Sequence, residues 1–262
     1  MTIENSLNTW QAVVLTHRGI VRPTNEDCVA IDRDIFTDNM RQPVELHLTP
    51  KFHVLMIADG IGGHVNGALA SRTVIEFLTR LPAERLAAPN AVSAAIEVAN
   101  DRVYDFMETR PETTGMGATL VGVAITDTGL LIFNVGDSRA YLHEPGNLIQ
   151  LSQDDVPPKN IGASRRRNTH VITQSLGGAD VRIPIFPHVS SIPALSAGET
   201  ILLCSDGLTD MLDDGEICEV LDRCQGLHAG VTELGLLAMR AGGRDNISII
   251  VAQTCLSRSS LP

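Results

Sequence analysis

The chain alternates short, unbroken apolar runs with tight polar turns, and that pattern leaves few folds open. Residues 11–16 (QAVVLT), 28–32 (CVAID) and 52–58 (FHVLMIA) read as strands. So do 117–126 (GATLVGVAIT), 130–136 (LLIFNVG), 139–143 (RAYLH), 148–151 (LIQL), 200–205 (TILLCS) and 246–253 (NISIIVAQ). Asp127-Thr128-Gly129 and Glu144-Pro145-Gly146-Asn147 are turns joining consecutive strands. Helical spacing of apolar residues appears over 68–81 and 91–108, with Pro89-Asn90 as a start signal and Pro111 as a stop, and again near 214–224 and 229–241. Residues 33–50 read as an irregular excursion or hairpin. Hairpin-connected strands interrupted by helix pairs predict an α+β fold, with helices packed outside antiparallel sheets. Neither an internal repeat nor a low-complexity linker divides the 262 residues, so a single domain over 1–262 is expected.

Composition removes several classes of function. With 20 basic and 31 acidic residues the net charge is −11, which argues against phosphate-backbone binding by clustered cations. The densest basic patch, Arg165-Arg166-Arg167 with Lys159 nearby, reads as a solvated loop, so no nucleic-acid partner is expected. No apolar run is long enough to span a membrane, and MTIENSLNTW lacks the basic and apolar regions of a secretory signal. A cytoplasmic protein with no membrane partner is the expectation. Five cysteines at irregular spacing fit reduced, mostly buried thiols.

The informative feature is where the aspartates stand. Asp59, Asp137 and Asp206 each end an apolar strand, Asp245 precedes the last strand, and Asp27 closes Arg22-Pro23-Thr24-Asn25-Glu26-Asp27 just before another. Taken singly, each is an ordinary turn residue. Five at strand ends can converge on one edge of a layered core, where their repulsion would be severe without cations. All the candidate ligands are hard oxygens, with the Gly60 carbonyl available and no zinc-like His or Cys spacing, so Mg2+ or Mn2+ is the natural inference. Two such ions can activate a water and neutralise a phosphoryl group. Arg22, on the same loop as Asp27, is the candidate phosphate clamp, although a surface salt bridge explains it equally well.

These residues form an ordered motif set. It runs Gly19-x-Val21-Arg22-x-x-Asn25-Glu26-Asp27, Ala58-Asp59-Gly60-x-Gly62-Gly63-His64, Gly117-Ala118-Thr119-Leu120 and Asn134-Val135-Gly136-Asp137-Ser138-Arg139. It closes with Ser205-Asp206-Gly207-Leu208 and Gly243-Arg244-Asp245-Asn246-Ile247-Ser248. In this order the chain resembles the metal-dependent protein phosphatases of the 2C type, particularly bacterial members. The resemblance implies two central antiparallel β-sheets sandwiched between pairs of α-helices. It implies hydrolysis of phosphoserine and phosphothreonine in proteins by a water activated between two divalent ions, opposing a bacterial Ser/Thr kinase. It also implies roles: Asp59 bridging two metals, the Gly60 carbonyl on one, Asp206 and Asp245 completing the other, and Asp27 acting on metal-bound water. Arg22 would hold the substrate phosphate, and Asp137 with Asp206 would support a weaker third ion. A monomer is expected.

Two departures from the family pattern stand out. Where some members carry a histidine directly after the Asp-Gly pair, this chain has Ile61, so His64 is read as structural. The flap around 152–178 is shortened, with Ser152-Gln153-Asp154-Asp155 at its start and Ile172-Thr173-Gln174-Ser175-Leu176-Gly177 near its end. Two other readings share parts of the pattern. One is a catalytically silent member that binds phosphoproteins or a regulator; the other is a nucleotide phosphodiesterase. The retained aspartates disfavour the first, and the absence of a base-binding signature disfavours the second.

Overall fold

A computed structural model describes residues 9–49, 51–61, 65–157 and 171–255. Gly62, Gly63, His64, Lys159 and the three consecutive arginines lie outside the described residues. The strands in chain order are β1 (Thr9–His17), β2 (Cys28–Ile31), β3 (Asp34–Phe36), β4 (Val44–Leu48), β5 (His53–Ala58) and β6 (Gly60–Ile61). Two helices follow, α1 (Val65–Leu78) and α2 (Pro89–Thr109). Then come β7 (Gly117–Ala118), β8 (Leu120–Thr126), β9 (Gly129–Val135), β10 (Arg139–Glu144), β11 (Asn147–Gln150), β12 (Leu176–Gly177), β13 (His188–Ile192) and β14 (Thr200–Cys204). The chain ends with α3 (Asp206–Thr209), α4 (Asp214–Arg223), α5 (Leu227–Arg240) and β15 (Ile247–Cys255).

Among the described residues the strands form two six-stranded sheets, ordered β11-β10-β14-β15-β1-β4 and β13-β9-β8-β5-β2-β3, with a small β12-β7-β6 sheet beside them. All the pairings are antiparallel. Side-chain alternation along each strand sorts the apolar residues into three layers. Val14, Ile57, Val121, Leu203 and Ile250 meet between the two sheets. Their sequence neighbours Val13, Leu202, Ile249 and Val251 face the opposite way, onto Ile217, Val231 and Leu234 of α4 and α5. On the far side Met56, Ala58, Phe133 and Val135 pack against Val74, Ile75, Ile96 and Val103 of α1 and α2. The result is the helix–sheet–sheet–helix sandwich expected from the sequence. Because both faces of each sheet are covered, the central strands read as continuous apolar runs rather than as alternating ones.

Several boundaries differ from expectation. Residues 33–50 hold β3, which follows Asp32 at φ +54° to make a hairpin with β2, and β4, which crosses to pair with β1 in the other sheet. The strand expected over 117–126 is broken at Thr119 into β7 and β8. Asp206 begins the short α3 rather than simply ending β14. In α2, Pro89 sits in the first turn, where its missing N–H costs nothing. The start of α4 is a reciprocal capping box between Asp213 and Glu216.

Candidate metal and phosphate site

The sheets end at a common edge, and there the loops after β1, β5, β9 and β14 and the loop before β15 enclose a cavity of about 200 Å3. Arg22, Asp59, Gly60, Asp137, Asp206 and Asp245 all line it, so the structure gathers six residues that stand far apart in sequence. Asp27 lies just behind, 1% exposed. Three apolar layers hold these strands at fixed relative height, and that fixes where their terminal carboxylates stand.

Asp27 is held by two hydroxyls. Ser205 Oγ and Ser248 Oγ donate to its Oδ2 at 2.9 and 2.6 Å, whereas its buried Oδ1 receives no hydrogen bond among the described residues. Burial pushes this carboxyl up to about 6; the two hydroxyls oppose the shift, and the Asp245 charge adds to it. Asp59 is raised well above the ordinary carboxylate range, first by burial and then by Asp27, Asp206, Asp245 and Asp137. Asp206 is raised in the same way, by burial and then by Asp137 and Asp245. Asp137 is raised by burial and by Asp154. Burial and mutual repulsion therefore both disfavour this set as bare anions, and an oxygen without a donor adds an open acceptor. A carboxylate-only donor set with these properties fits hard divalent cations.

Arg22 stands at the rim, its side chain 45% exposed, and its Nη2 donates to Asp245 Oδ2 at 2.6 Å. The salt bridge considered for Arg22 from sequence thus exists, and its partner is itself a site residue. The backbone is shaped for close approach. A Cβ at Gly60 would strike the Gly67 carbonyl, and one at Gly207 would strike the Asn246 carbonyl. Thr119 clips β5 to β7: its N–H donates to the Asp59 carbonyl at 2.9 Å, and its Oγ1 accepts from the Asp59 N–H at 3.1 Å.

Sequence reading assigned no role to several groups that build this site. Glu26 lines the cavity beside Asp27, 5% exposed. Asn246 accepts from the Glu26 N–H at 2.7 Å and donates to the Arg18 and Thr24 carbonyls at 3.0 and 2.9 Å, tying the Arg22 loop to β15. Ser248 gave a signal that could have been read: it is a polar residue inside the otherwise apolar Ile247–Val251 stretch.

The described residues at the two ends of the 152–178 segment meet at Asp155. Its Oδ2 accepts from the Gly136 N–H at 2.8 Å and from Gln174 Nε2 at 3.0 Å, and its Oδ1 lies 2.8 Å from His188 Nε2. Its neighbour Asp154 pairs with Arg139 at 2.7 Å, both side chains nearly buried. Ile172 from the same segment reaches the cavity wall.

Comparison with known proteins agrees with this geometry. The family model for protein phosphatase 2C matches residues 40–233. The chain is 31% identical over 250 residues to the serine/threonine protein phosphatase PstP of Mycobacterium tuberculosis, spanning 90% of this chain but only 43% of that protein. It is 28% identical over 261 residues to the serine/threonine phosphatase stp of Listeria monocytogenes, spanning 93% of this chain and 95% of that one. Among solved structures, the PstP catalytic domain in complex with two manganese ions superposes with a TM-score of 0.73 at 30% identity, over 94% of this chain and 99% of that one. PppA, described as a key regulatory component of the type VI secretion system in Pseudomonas aeruginosa, gives a TM-score of 0.74 at 27% identity, over 95% and 100%.

Proposed function

Since the chain belongs to the protein phosphatase 2C family, we propose that it is a metal-dependent serine/threonine phosphoprotein phosphatase. The observation that carries this reading is the convergence of four aspartates and Arg22 on one small cavity, with Asp27 buried behind them. Asp59 would bridge two Mn2+ or Mg2+ ions, the Gly60 carbonyl would serve one, and Asp206 and Asp245 the other. Asp27 would act through water, and Asp137 with Asp206 would offer a weaker third position. When bound, the two ions lower the pKa of a water and neutralise phosphoryl charge.

The chain's own groups do the rest. Ser205 and Ser248 hold Asp27 by one oxygen and leave the other, buried oxygen without a donor among the described residues. Arg22, at the rim, presents planar paired donors to phosphate oxygens and orients the ester for in-line attack. The substrate is a phosphoprotein made by a Ser/Thr kinase, and the chain works as a single monomeric catalytic domain over 1–262, in the cytoplasm. Among the described residues no helix is long and apolar enough to cross a membrane.

A phosphothreonine peptide assayed with Mn2+ and with chelator tests the reading. Turnover is expected only with metal, and Asp206→Ala and Asp245→Ala should each abolish it while the protein stays folded. Equal turnover with chelator, or none with metal, would overturn it.

A further inference from the structure

On the outer side of the molecule, away from the aspartate cavity, three side chains of different chemistry point at one another. His143 lies on β10, while Cys218 and Asp222 stand one helical turn apart on the same face of α4. One ligand atom from each falls within 4.8 Å of the other two. His143 Nε2 is 3.0 Å from Asp222 Oδ1, and Cys218 Sγ is 3.7 Å from Asp222 Oδ2. Donor atoms around a tetrahedral zinc ion stand roughly 3.2–3.8 Å apart, as metal–ligand bonds of about 2.0–2.3 Å require.

We propose that His143, Cys218 and Asp222 form a second metal site, selective for Zn2+ and separate from the carboxylate cavity. The donor set is the first argument. Imidazole, thiolate and carboxylate together suit a borderline ion, whereas the aspartate cavity offers only hard oxygens. The second argument is that two of the ligands are already oriented by outer contacts. Thr200 Oγ1 lies 3.3 Å from His143 Nδ1 and can accept its N–H, leaving the Nε2 lone pair for a cation. The Gly146 N–H donates to both oxygens of Asp222, at 3.0 and 3.1 Å, holding that carboxylate in place from the β10–β11 turn.

The third argument is access. An open cleft of about 550 Å3 lies against Cys218 and Asp222, so an ion can enter and the fourth position stays open to water. Burial and the Asp222 charge hold the Cys218 thiol above its ordinary pKa, so binding must displace its proton. A zinc ion here would cross-link α4 to β10, joining the outer helix layer to its sheet. An ordinary His–Asp ion pair with a neighbouring thiol would use the same contacts but would not select zinc.

The test uses the Mn2+-loaded full chain with Co2+ as a spectroscopic stand-in for zinc. One equivalent of Co2+ should produce a thiolate-to-cobalt charge-transfer band that Zn2+ bleaches and excess Mn2+ does not. The band should vanish in Cys218→Ser and in His143→Gln, both of which keep phosphopeptide turnover. Thr200→Val should weaken Zn2+ binding by about ten- to hundredfold while leaving Mn2+ activation unchanged. Absence of the band in the wild type, or its persistence in Cys218→Ser, would overturn the proposal. If His143→Gln fails to fold, the Cys218→Ser result and the Zn2+-induced rise in Tm of the wild type decide the matter.

Discussion

At the scale of single residues, the site is a set of anions placed where anions are costly, and its neighbours show how that cost is managed. Ser248 is the clearest instance. Its hydroxyl is one of two donors on Asp27 Oδ2, so Ser248→Ala should cost about 1–3 kcal/mol in urea unfolding. It should also raise the Mn2+ concentration for half-maximal phosphopeptide turnover by about tenfold or more. An unchanged Mn2+ requirement would mean that Ser205 alone orients Asp27. His53 makes a separate, pH-dependent case. Both its ring nitrogens face acceptors, Asp32 Oδ2 and the Thr49 carbonyl, each at 2.6 Å, which only the doubly protonated ring satisfies. Burial alone would lower its pKa, but these two partners prevail and leave it raised. Its stabilising contribution is therefore complete below the unfolded-state value of about 6.5 and is lost as pH rises through the higher folded value. The stability gap between wild type and His53→Gln should shrink from pH 5.5 to pH 8.5; a gap independent of pH would refute the doubly charged pairing. The aspartates were legible because each follows or precedes an apolar strand. Ser205 and Glu26 were not, because a buried hydroxyl or a neighbouring acid has meaning only once its partner across the fold is known; Ser248 stood out only as a polar residue in an apolar strand, with nothing to say what it bonds.

At the scale of elements, legibility followed burial. The central strands β5, β8, β9, β14 and β15 are apolar on both faces and read easily. β4 (VELHL) and β13 (HVSSI) did not, because they are sheet edges, half exposed and polar, as edges that resist further pairing tend to be. Helix α1 carries a more specific lesson. Gly67, in its first turn, leaves room for the Glu26 carboxylate and the Gly60 backbone. Glycine to alanine inside a helix ordinarily gains about 0.5–1 kcal/mol. Here Gly67→Ala should instead destabilise the protein and weaken Mn2+ activation, because the new methyl strikes Glu26 Oε2 and crowds Gly60. Thermal melts beside Mn2+ titrations of the variant check this; a more stable protein with normal activation would show that the approach of α1 is not needed.

At the scale of the whole molecule, the sandwich stores repulsion at one edge that bound cations relieve. Loading the site at a hundred times its dissociation constant should stabilise the fold by about 2.7 kcal/mol per ion, or roughly 5–10 °C in Tm. Calorimetry in Mn2+ and in chelator measures this; coincident melts would mean that the carboxylates are accommodated without metal. The α+β class and layer order were legible from hairpins and helix pairs, because local pattern controls them. The strand order was not, because it depends on long-range pairings such as β1 with β15. That last pairing has a consequence for how the protein is made. β15 lies between β14 and β1, with Asp245 just before it, so the middle of one sheet stays open until β15 emerges. At about 5–20 residues per second the ribosome delivers Asp245 roughly ten to forty seconds after Asp59. Until Asp245 has emerged, a nascent chain lacks one of the carboxylates that line the cavity, so Mn2+ binding there should begin only after that point.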